Sequence, residues 1–238
     1  MKKSNLIYIL PNLFTASSIF VGVISIVEAS KGHFILASWL VLLALVFDAL
    51  DGRVARMTNT TSQFGVEFDS LADIISFGIA PAMLLYFFIG HEFGRFGILV
   101  SALYVIFGAI RLARFNISTA KTDPNVFIGL PIPTAAVFLS MWVLLFNKYT
   151  LQEYSIILLF LALGVALLMV SNFRYPSFKK IELDKPMVFK SMIILVLIAS
   201  LLYLFSVEGF AIIILAYTLY GPLRALRTLN LRSIKIKK

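Results

Sequence analysis

Four of the six aspartates in this 238-residue chain fall within residues 48–73, between segments rich in apolar side chains. Asp48 and Asp51 are three positions apart, and Asp69 and Asp73 are four positions apart. Residues at these spacings share one face of a helix, so the sequence predicts two carboxylate pairs, each on its own helix. Grouped carboxylates can bind cations and accept protons, and both kinds of chemistry would need the two helices to meet.

The connector between the two helices predicts that the pairs do meet. Residues 57–64, MTNTTSQF, are mostly polar, and we expect the chain to reverse near Thr60 and Thr61. Asp48 and Asp73 are then each about twelve residues from the turn, and the inner two aspartates are each about nine. In an antiparallel hairpin equal distance from the turn means equal depth, so all four carboxylates are predicted to converge in one pocket.

Four ionised carboxylates at one depth repel one another, and each is costly to carry into a membrane, so a positive partner is expected among them. The chain has no cysteine, and its two histidines, His33 and His91, fall at the far ends of the apolar segments. Ligation by oxygen alone favours hard divalent cations, so we expect Mg²⁺ or Mn²⁺, with Ca²⁺ as another occupant. Two such ions that share carboxylates can clamp a phosphoryl group during its displacement.

Three neighbouring residues fit a substrate that carries phosphate. Gly52 and Gly65 have no side chain, which lets a ligand lie against the backbone beside the carboxylates. Arg56 follows Gly52 by one helical turn, and its guanidinium can offer paired donors to a diphosphate. The residues alone therefore predict a metal-dependent phosphate site.

The composition places this site in a membrane protein. Hydrophobic residues make up 60% of the chain and charged residues 14%, well below the roughly 25% charged share of a soluble domain. Apolar runs close to the ~20 residues that cross a bilayer recur along the chain, so we predict an all-α polytopic membrane helix bundle. The eight predicted spans are residues 10–29, 34–56, 68–89, 96–115, 129–147, 152–173, 187–205 and 209–227.

The basic residues predict how these spans are oriented. The first span is interpreted as an uncleaved helix rather than a signal peptide, because no small-residue cleavage site follows its long apolar run. With eight alternating spans, eighteen of the 21 Lys and Arg residues fall on the side of the N-terminus, and Lys31, Arg95 and Lys148 fall on the other. This positive-inside bias predicts both termini and the aspartates on the cytosolic side of the inner membrane. The same bias, together with anionic membrane lipids, explains the net charge of +9 and the basic tail RSIKIKK, which argues against a nucleic-acid partner.

Written as a pattern, residues 48–73 read DxxDGxxARx(8)GxxxDxxxD. In this pattern the chain resembles the CDP-alcohol phosphatidyltransferase family. The resemblance implies a six-helix core, a homodimer, and a dinuclear metal site that opens toward the cytosol. It also implies a reaction in which an alcohol displaces CMP from a CDP-linked lipid.

The resemblance further implies a role for each residue of the pattern. All four aspartates would hold the metal ions, and Asp73 would in addition take the proton from the attacking hydroxyl. Gly52, Arg56 and Gly65 would bind the CDP portion of the lipid. The implied ligand set is Asp48, Asp51, Asp69 and Asp73.

Three further stretches resemble the phosphatidylserine synthase branch of that family. They are PNLFTASSIFVG at residues 11–22, AIRLARFN at 109–116 and GLPIP at 129–133. With them the likeness spans about residues 1–175, which we take as the family core, and 176–238 would be a C-terminal helix pair and basic tail in the same membrane domain. This branch implies CDP-diacylglycerol and L-serine as substrates.

Serine would bring a carboxylate into the site, and two arginines are candidates to bind it. Arg111 and Arg114 lie at the inner end of the fourth span, at the expected level of the aspartates. Residues 129–133 begin the fifth span and would offer free backbone donors there. Asn12 and Thr15, at the inner end of the first span, would hydrogen-bond the cytidine or serve only as helix caps.

Other functions stay open at this point. Within the family, the acceptor could be glycerol 3-phosphate, an inositol phosphate or choline, although a phosphorylated acceptor would need a more basic pocket than Arg111 and Arg114 provide. Outside the family, acidic residues inside a membrane are typical of divalent-cation transporters, which need carboxylates along a path through the bilayer. A structural membrane scaffold would gain nothing from a carboxylate cluster.

Overall fold

In a computed structural model of the protein, residues 4–118, 126–176 and 206–236 are described, and they are mostly helical. Two short 3₁₀ turns, Gly90–Phe93 and Gln152–Tyr154, lead into helices. The helices are α1 Ser4–Ser30, α2 Phe34–Met57, α3 Gln63–Asp73, α4 Ala80–Phe88, α5 Gly94–Ser118, α6 Ile132–Lys148, α7 Ser155–Val170 and α8 Ser206–Ile236.

Helices α3 and α4 form one continuous rod, because a π-helical turn at Ile74–Ile79 joins them. The Ala80 N–H donates to the carbonyl of Ile75, five residues back, which is the hydrogen bond that defines a π turn. The rod therefore contains a local widening directly after Asp73.

The predicted membrane helix bundle is confirmed. Among the described residues, six helices are long and apolar enough to cross a membrane, and α6 is apolar but only 17 residues long. Seven of the eight predicted spans coincide with helices, and the predicted span 187–205 lies outside the described residues. The third helix begins at Gln63 rather than 68, because Ser62 caps it.

The outer surfaces of the bundle fit a lipid environment. Large apolar side chains such as Phe20, Ile98 and Phe160 are more than half exposed. The interior is filled mainly by α4, α6 and α7, whose buried side chains include Leu84, Phe138 and Leu158. A chain that is apolar both inside and outside is an integral membrane protein.

Helices α1 and α2 have the most extensive contact of any two elements in the described part of the chain. The Ser25 hydroxyl donates across the pair to the Ala37 carbonyl at 2.8 Å. Gly32 turns the chain between the two helices with a φ of +84°, which favours glycine. The N-terminal half of α1 meets the C-terminal half of α2 at the aspartates, where Thr15 bonds to Asp51.

A two-stranded antiparallel ribbon, β1 Val126–Ile128 and β2 Arg174–Pro176, is an addition to the all-α prediction. It joins the start of α6 to the segment that follows α7. The Tyr175 hydroxyl donates to the carbonyl of Thr218 on α8 at 3.1 Å, and the Tyr217 hydroxyl donates to the carbonyl of Pro176 at 3.1 Å. Burial raises the pKa of Tyr175, so its hydroxyl remains a donor.

The opposite end of α8 is also fixed to the bundle. Glu208, in the first turn of α8, accepts hydrogen bonds from Lys148 and from the Tyr149 hydroxyl at the end of α6. The C-terminal helix is therefore docked on the core at two levels, against α6 and against the ribbon.

Candidate active site

The reversal between α2 and α3 is a five-residue turn, residues 58–62. The Thr58 hydroxyl donates to the Val54 carbonyl at 2.7 Å and lies 2.7 Å from the Thr60 hydroxyl, so it closes the end of α2. Ser62 begins α3, and its hydroxyl accepts from the Gly65 N–H at 3.0 Å, which is an N-cap. The centre of the turn is Thr60, as the sequence predicts.

This turn brings the carboxylates together. Asp48, Asp51 and Asp69 each offer an oxygen within 4.8 Å of the other two. The Asp73 carboxyl is in hydrogen-bonding contact with Asp48, so it extends the same cluster. Helices α2 and α3 thus meet at these carboxylates.

Helix α1 closes one side of the cluster through Thr15. The Thr15 hydroxyl lies 2.6 Å from Asp51 Oδ2 and donates to it, and both side chains are buried, with Asp51 only 6% exposed. A hydroxyl donor stabilises the ionised carboxylate and fixes which oxygen faces the other aspartates. Thr15 is thus directed at a carboxylate.

Asp73 differs from the other three aspartates in its surroundings. Its Oδ1 is buried and has no hydrogen-bond partner within the described part of the chain. The charge of Arg111 on α5 acts on the same carboxyl. A buried carboxylate oxygen without a donor is able to accept a metal ion or a proton.

The cluster fits a divalent metal site. Its donors are all carboxylate oxygens, which suit Mg²⁺ and Mn²⁺, and three of the carboxylates are already close enough to share one ion. The unpaired Asp73 Oδ1 is a further available ligand atom. These residues support the predicted binding of a metal ion.

An open cavity of about 200 Å³ lies beside the carboxylates, between α1, α2 and α3. Its walls include seven of the eleven candidate site residues predicted from the sequence. These are Asn12, Thr15, Asp51, Gly52, Arg56, Gly65 and Asp69.

Both glycines of the pattern keep this cavity open. A Cβ added to Gly52 would lie 3.3 Å from the Arg56 guanidinium. A Cβ added to Gly65 would lie 3.2 Å from the Ser62 hydroxyl and 3.6 Å from the side-chain oxygen of Asn12. Side chains at these positions would crowd the groups that face a ligand.

Arg111 does not line this cavity, and its buried side chain interacts with Asp73. Its side chain is 5% exposed, and its guanidinium carbon lies 5.0 Å from the centre of the Phe115 ring. Its Nε has no acceptor among the described residues. The carboxyl of Asp73 partly compensates the charge of this buried cation.

Arg114 has a different set of partners. Its guanidinium donates to the carbonyls of residues 169, 170 and 171 and to that of Ile128, at 3.0–3.2 Å, with the Asn172 side chain at 3.4 Å. The first three carbonyls belong to the C-terminal end of α7, which has no intrahelical donors for them. Arg114 thus caps α7 and ties it to β1.

Four of the five residues 129–133, where the sequence predicts free backbone donors, do not offer one. The Gly129 N–H donates to Phe173 at 2.8 Å, and the Leu130 N–H donates to Leu168 at 3.0 Å. Two prolines in the stretch have no N–H to offer. Gly129 has a φ of +77°, and a Cβ there would overlap the Met169 carbonyl. This stretch is therefore a tightly packed turn with a structural role.

Two polar contacts near the site were missed by the sequence analysis. Ser62 could have been found, because serine just before an apolar helix is a common N-cap. The Asn116 amide on α5 donates to the Ser70 hydroxyl on α3 at 3.0 Å, and no local pattern indicates that contact.

The comparison with known families agrees with the geometry. The sequence model of the CDP-alcohol phosphatidyltransferase family matches residues 8–170, which include every one of the eleven candidate residues. The match ends where α7 ends, so α8 lies beyond it.

Three curated relatives share the name CDP-diacylglycerol–serine O-phosphatidyltransferase. The chain is 54% identical to the protein of Helicobacter pylori strain 26695 over 222 residues, 92% of each chain. It is 37% identical to that of Methanocaldococcus jannaschii over 190 residues, 79% of this chain and 83% of the relative. It is 33% identical to that of Bacillus subtilis strain 168 over 171 residues, 72% of this chain and 92% of the relative.

The contacts of Arg114 generate a prediction about stability. We expect Arg114→Gln to lower the free energy of unfolding by about 2–3 kcal/mol, because several carbonyls lose a charged donor. For a chain of this size that is a fall of about 4–12 °C in melting temperature, measured by thermal unfolding of the detergent-solubilised protein. Arg95→Gln, at the exposed N-terminal end of the same helix, is the control and should shift the melting temperature by less than about 2 °C. Equal melting temperatures for the two variants would contradict a capping role.

Proposed function

The chain belongs to the CDP-alcohol phosphatidyltransferase family, and from this we propose that it transfers the phosphatidyl group of CDP-diacylglycerol to the hydroxyl of L-serine and releases CMP. The observation that carries the proposal is the carboxylate cluster beside an open cavity lined by Gly52, Arg56 and Gly65. The identity to relatives named for this reaction, across most of the chain, supports the choice of both substrates.

The cavity is where we place the CDP portion of the lipid. Arg56 provides paired donors for the diphosphate, and the two glycines allow it to approach the backbone. Asn12 lies on the wall next to Gly65, where its amide is able to hydrogen-bond the cytosine. Thr15, which already donates to Asp51, acts there by orienting that carboxylate.

We propose that Asp48, Asp51, Asp69 and Asp73 hold two divalent cations, Mg²⁺ or Mn²⁺. When bound, such ions neutralise the diphosphate and stabilise the charge on the departing CMP. The protein's contribution is to keep four carboxylates at one depth, where an ion relieves their mutual repulsion.

The transfer step needs a base for the serine hydroxyl, and we assign that role to Asp73. The serine oxygen forms a bond to the phosphorus that carries the diacylglycerol, and the bond from that phosphorus to the bridging oxygen breaks. CMP leaves with the bridging oxygen, and the hydroxyl proton passes to the Asp73 carboxylate. The buried Oδ1 of Asp73 supports this assignment, because no donor among the described residues occupies the oxygen that would accept the proton.

Arg111 is the residue we propose for the serine carboxylate. It is a buried cation next to Asp73, so a carboxylate bound there would place the serine hydroxyl near the proposed base. The sequence offered Arg114 equally, but the guanidinium of Arg114 is already surrounded by backbone acceptors. Arg114 would thus support the acceptor site through the scaffold.

The remaining expectations concern the assembly. We propose that the termini and the cavity face the cytosol, that residues 1–175 form the catalytic core, and that the protein is a homodimer. The positive-inside distribution supports the orientation, and the family match to residues 8–170 supports the core. The mass of the detergent-solubilised protein, measured by light scattering, tests the homodimer, and a monomeric mass would contradict it.

The first prediction of this function concerns the acceptor. The purified protein should release CMP from CDP-diacylglycerol with L-serine, and EDTA should abolish the release while Mn²⁺ or Mg²⁺ restores it. Glycerol 3-phosphate, inositol phosphate and choline should give much lower rates. A preference for a phosphorylated acceptor would overturn the assignment of serine, and metal flux into liposomes without CDP-lipid would favour a transporter.

The same assay tests Arg111. Arg111→Gln should raise the KM for serine by about 10- to 100-fold, because a hydrogen bond to a charged group contributes about 1.5–3 kcal/mol. The KM for CDP-diacylglycerol should change little, and Arg95→Gln is the matched control. An unchanged KM for serine in the Arg111 variant would remove this residue from the acceptor site.

The second prediction concerns the proposed base. Asp73→Asn should lower kcat by about 10²- to 10⁴-fold at saturating Mn²⁺, since an amide cannot take the proton. Mn²⁺ should still bind, measured by electron paramagnetic resonance of the free ion, because three carboxylates remain. Turnover close to that of the unmodified protein with the metal bound would show that another group is the base.

The third prediction concerns orientation and uses the absence of cysteine from the chain. Two single substitutions, Met57→Cys and Lys31→Cys, each introduce one thiol at an exposed position. Met57 is the last residue of α2, and Lys31 lies in the turn before the first residue of α2. A membrane-impermeant maleimide added to whole cells should label the thiol at 31 and should label the thiol at 57 only after lysis. The reverse pattern would place the cavity on the outer side.

A further inference from the structure

A pair of buried serines lies directly beneath the carboxylates and links three helices. Ser18 is on α1, and Ser76 is inside the π turn that follows Asp73; their exposed fractions are 1% and 0%. The Ser76 hydroxyl donates to the Ser18 carbonyl at 3.0 Å. The Ser18 hydroxyl lies 3.2 Å from the Ala44 carbonyl on α2 and 3.2 Å from the Ser76 hydroxyl. We call Ser18 and Ser76 the serine pair.

Each member of this network is one helical turn from a group at the site. Ser18 follows Thr15 by three residues, and Thr15 donates to Asp51. Ser76 follows Asp73 by three residues. Ala44 precedes Asp48 by four residues, so the α2 hydrogen bond that Asp48 N–H makes is to the same Ala44 carbonyl. The serine pair therefore lies on the inward face of all three helices, one layer below the cluster.

The π turn links the position of the serine pair to the direction of the Asp73 side chain. A π turn contains one residue more than an α turn, which rotates the helix on one side of it by about 100° relative to the other side. Asp69 and Asp73 precede the turn, and the buried residues of α4 follow it. The direction of Asp73 relative to the rest of the bundle thus depends on the π turn, and Ser76 is the point where α1 holds that turn.

Close packing of α1 against the π turn is a second, independent observation. A Cβ added to Gly22, one turn beyond Ser18, would lie 3.0 Å from both the Cα and the hydroxyl of Ser76. A side chain at this position would push α1 and the π turn apart by a few tenths of an ångström. The two backbones are therefore held together by a steric fit as well as by hydrogen bonds.

We propose that Ser18 and Ser76 are positioning residues, which set the rotation and depth of α3 against α1 and α2 so that Asp73 meets Asp48 at the metal site. Serines inside membrane helices commonly bond to the carbonyl four residues back in their own helix, and such a bond would have no effect on the site. Here both hydroxyls reach other helices instead. This proposal depends on one part of the proposed function, which is that the aspartates bind metal ions.

The test measures metal binding to the full chain in detergent, without lipid substrate or alcohol. We expect Ser18→Ala and Ser76→Ala each to weaken Mn²⁺ binding by about tenfold or more, read by electron paramagnetic resonance, since residues that orient metal ligands have effects of that size. The double variant should bind Mn²⁺ about as weakly as the worse single variant, because the two serines act as one unit.

The control variants separate positioning from general stability. Ser25→Ala removes a buried serine bond between α1 and α2, to the Ala37 carbonyl, that is far from the carboxylates. Ser17→Ala removes a bond within α1, to the Leu13 carbonyl. Both should leave the Kd for Mn²⁺ within about twofold of the unmodified value, although Ser25→Ala should lower the melting temperature about as much as Ser18→Ala.

Two results would overturn the proposal. One is a Kd for Mn²⁺ in the Ser18 and Ser76 variants that matches the Ser25 variant at an equal loss of melting temperature. The other is an unmodified chain that binds no Mn²⁺, because there would be no metal site to position. If the serine variants weaken Mn²⁺ binding while no alcohol releases CMP, the proposed reaction fails and the positioning role stands.

Discussion

The constraint on which the rest of this structure depends is the repulsion among carboxylates held at one depth in a membrane protein. Asp48, Asp51 and Asp69 have oxygens within 4.8 Å of one another, and Asp73 is in contact with Asp48. Such an arrangement is unfavourable unless cations or protons compensate it. The protein supports it with a hydroxyl donor from Thr15, the charge of Arg111, and a short capped turn that prevents the two helices from sliding apart.

The two arginines of one helix show how neighbouring identical residues acquire different roles. Arg111 and Arg114 are three positions apart, and both lie in the C-terminal part of α5. The face that carries Arg111 is directed at Asp73, whereas Arg114 meets the last turn of α7, where carbonyls lack donors. A guanidinium in that position stabilises the end of a helix in the same way as a C-terminal cap. The two guanidinium groups, one beside Asp73 and the other at the end of α7, thus belong to residues one helical turn apart.

The sequence predicts the part of the site that follows from local geometry. Helical spacing and equal distance from a polar turn suffice to place Asp48, Asp51 and Asp69 together, and the apolar runs suffice to place the described helices. The π turn after Asp73 is not predictable in this way, because residues 74–79 are apolar apart from Ser76 and Gly78, and no period distinguishes an α turn from a π turn. The pairing of β1 with β2 joins strands of three residues separated by almost 50 positions, which leaves no local pattern to read. The difference between Arg111 and Arg114 likewise depends on α7, which packs against α5 from far along the chain.

The ribbon explains how a helix outside the family match can still affect the site. Helix α8 is fixed to β2 by Tyr175 and Tyr217, and β2 pairs with β1. The carbonyl of Ile128, the last residue of β1, accepts from Arg114, one turn from Arg111 on α5. Tyr217 also lies near enough to Arg111 for the two side chains to interact electrostatically. A displacement of α8 would therefore act on the buried cation behind Asp73 through two routes, one through the ribbon and one directly. The C-terminal helix is thus a support for the arginine side of the site, as α1 is a support for the aspartate side.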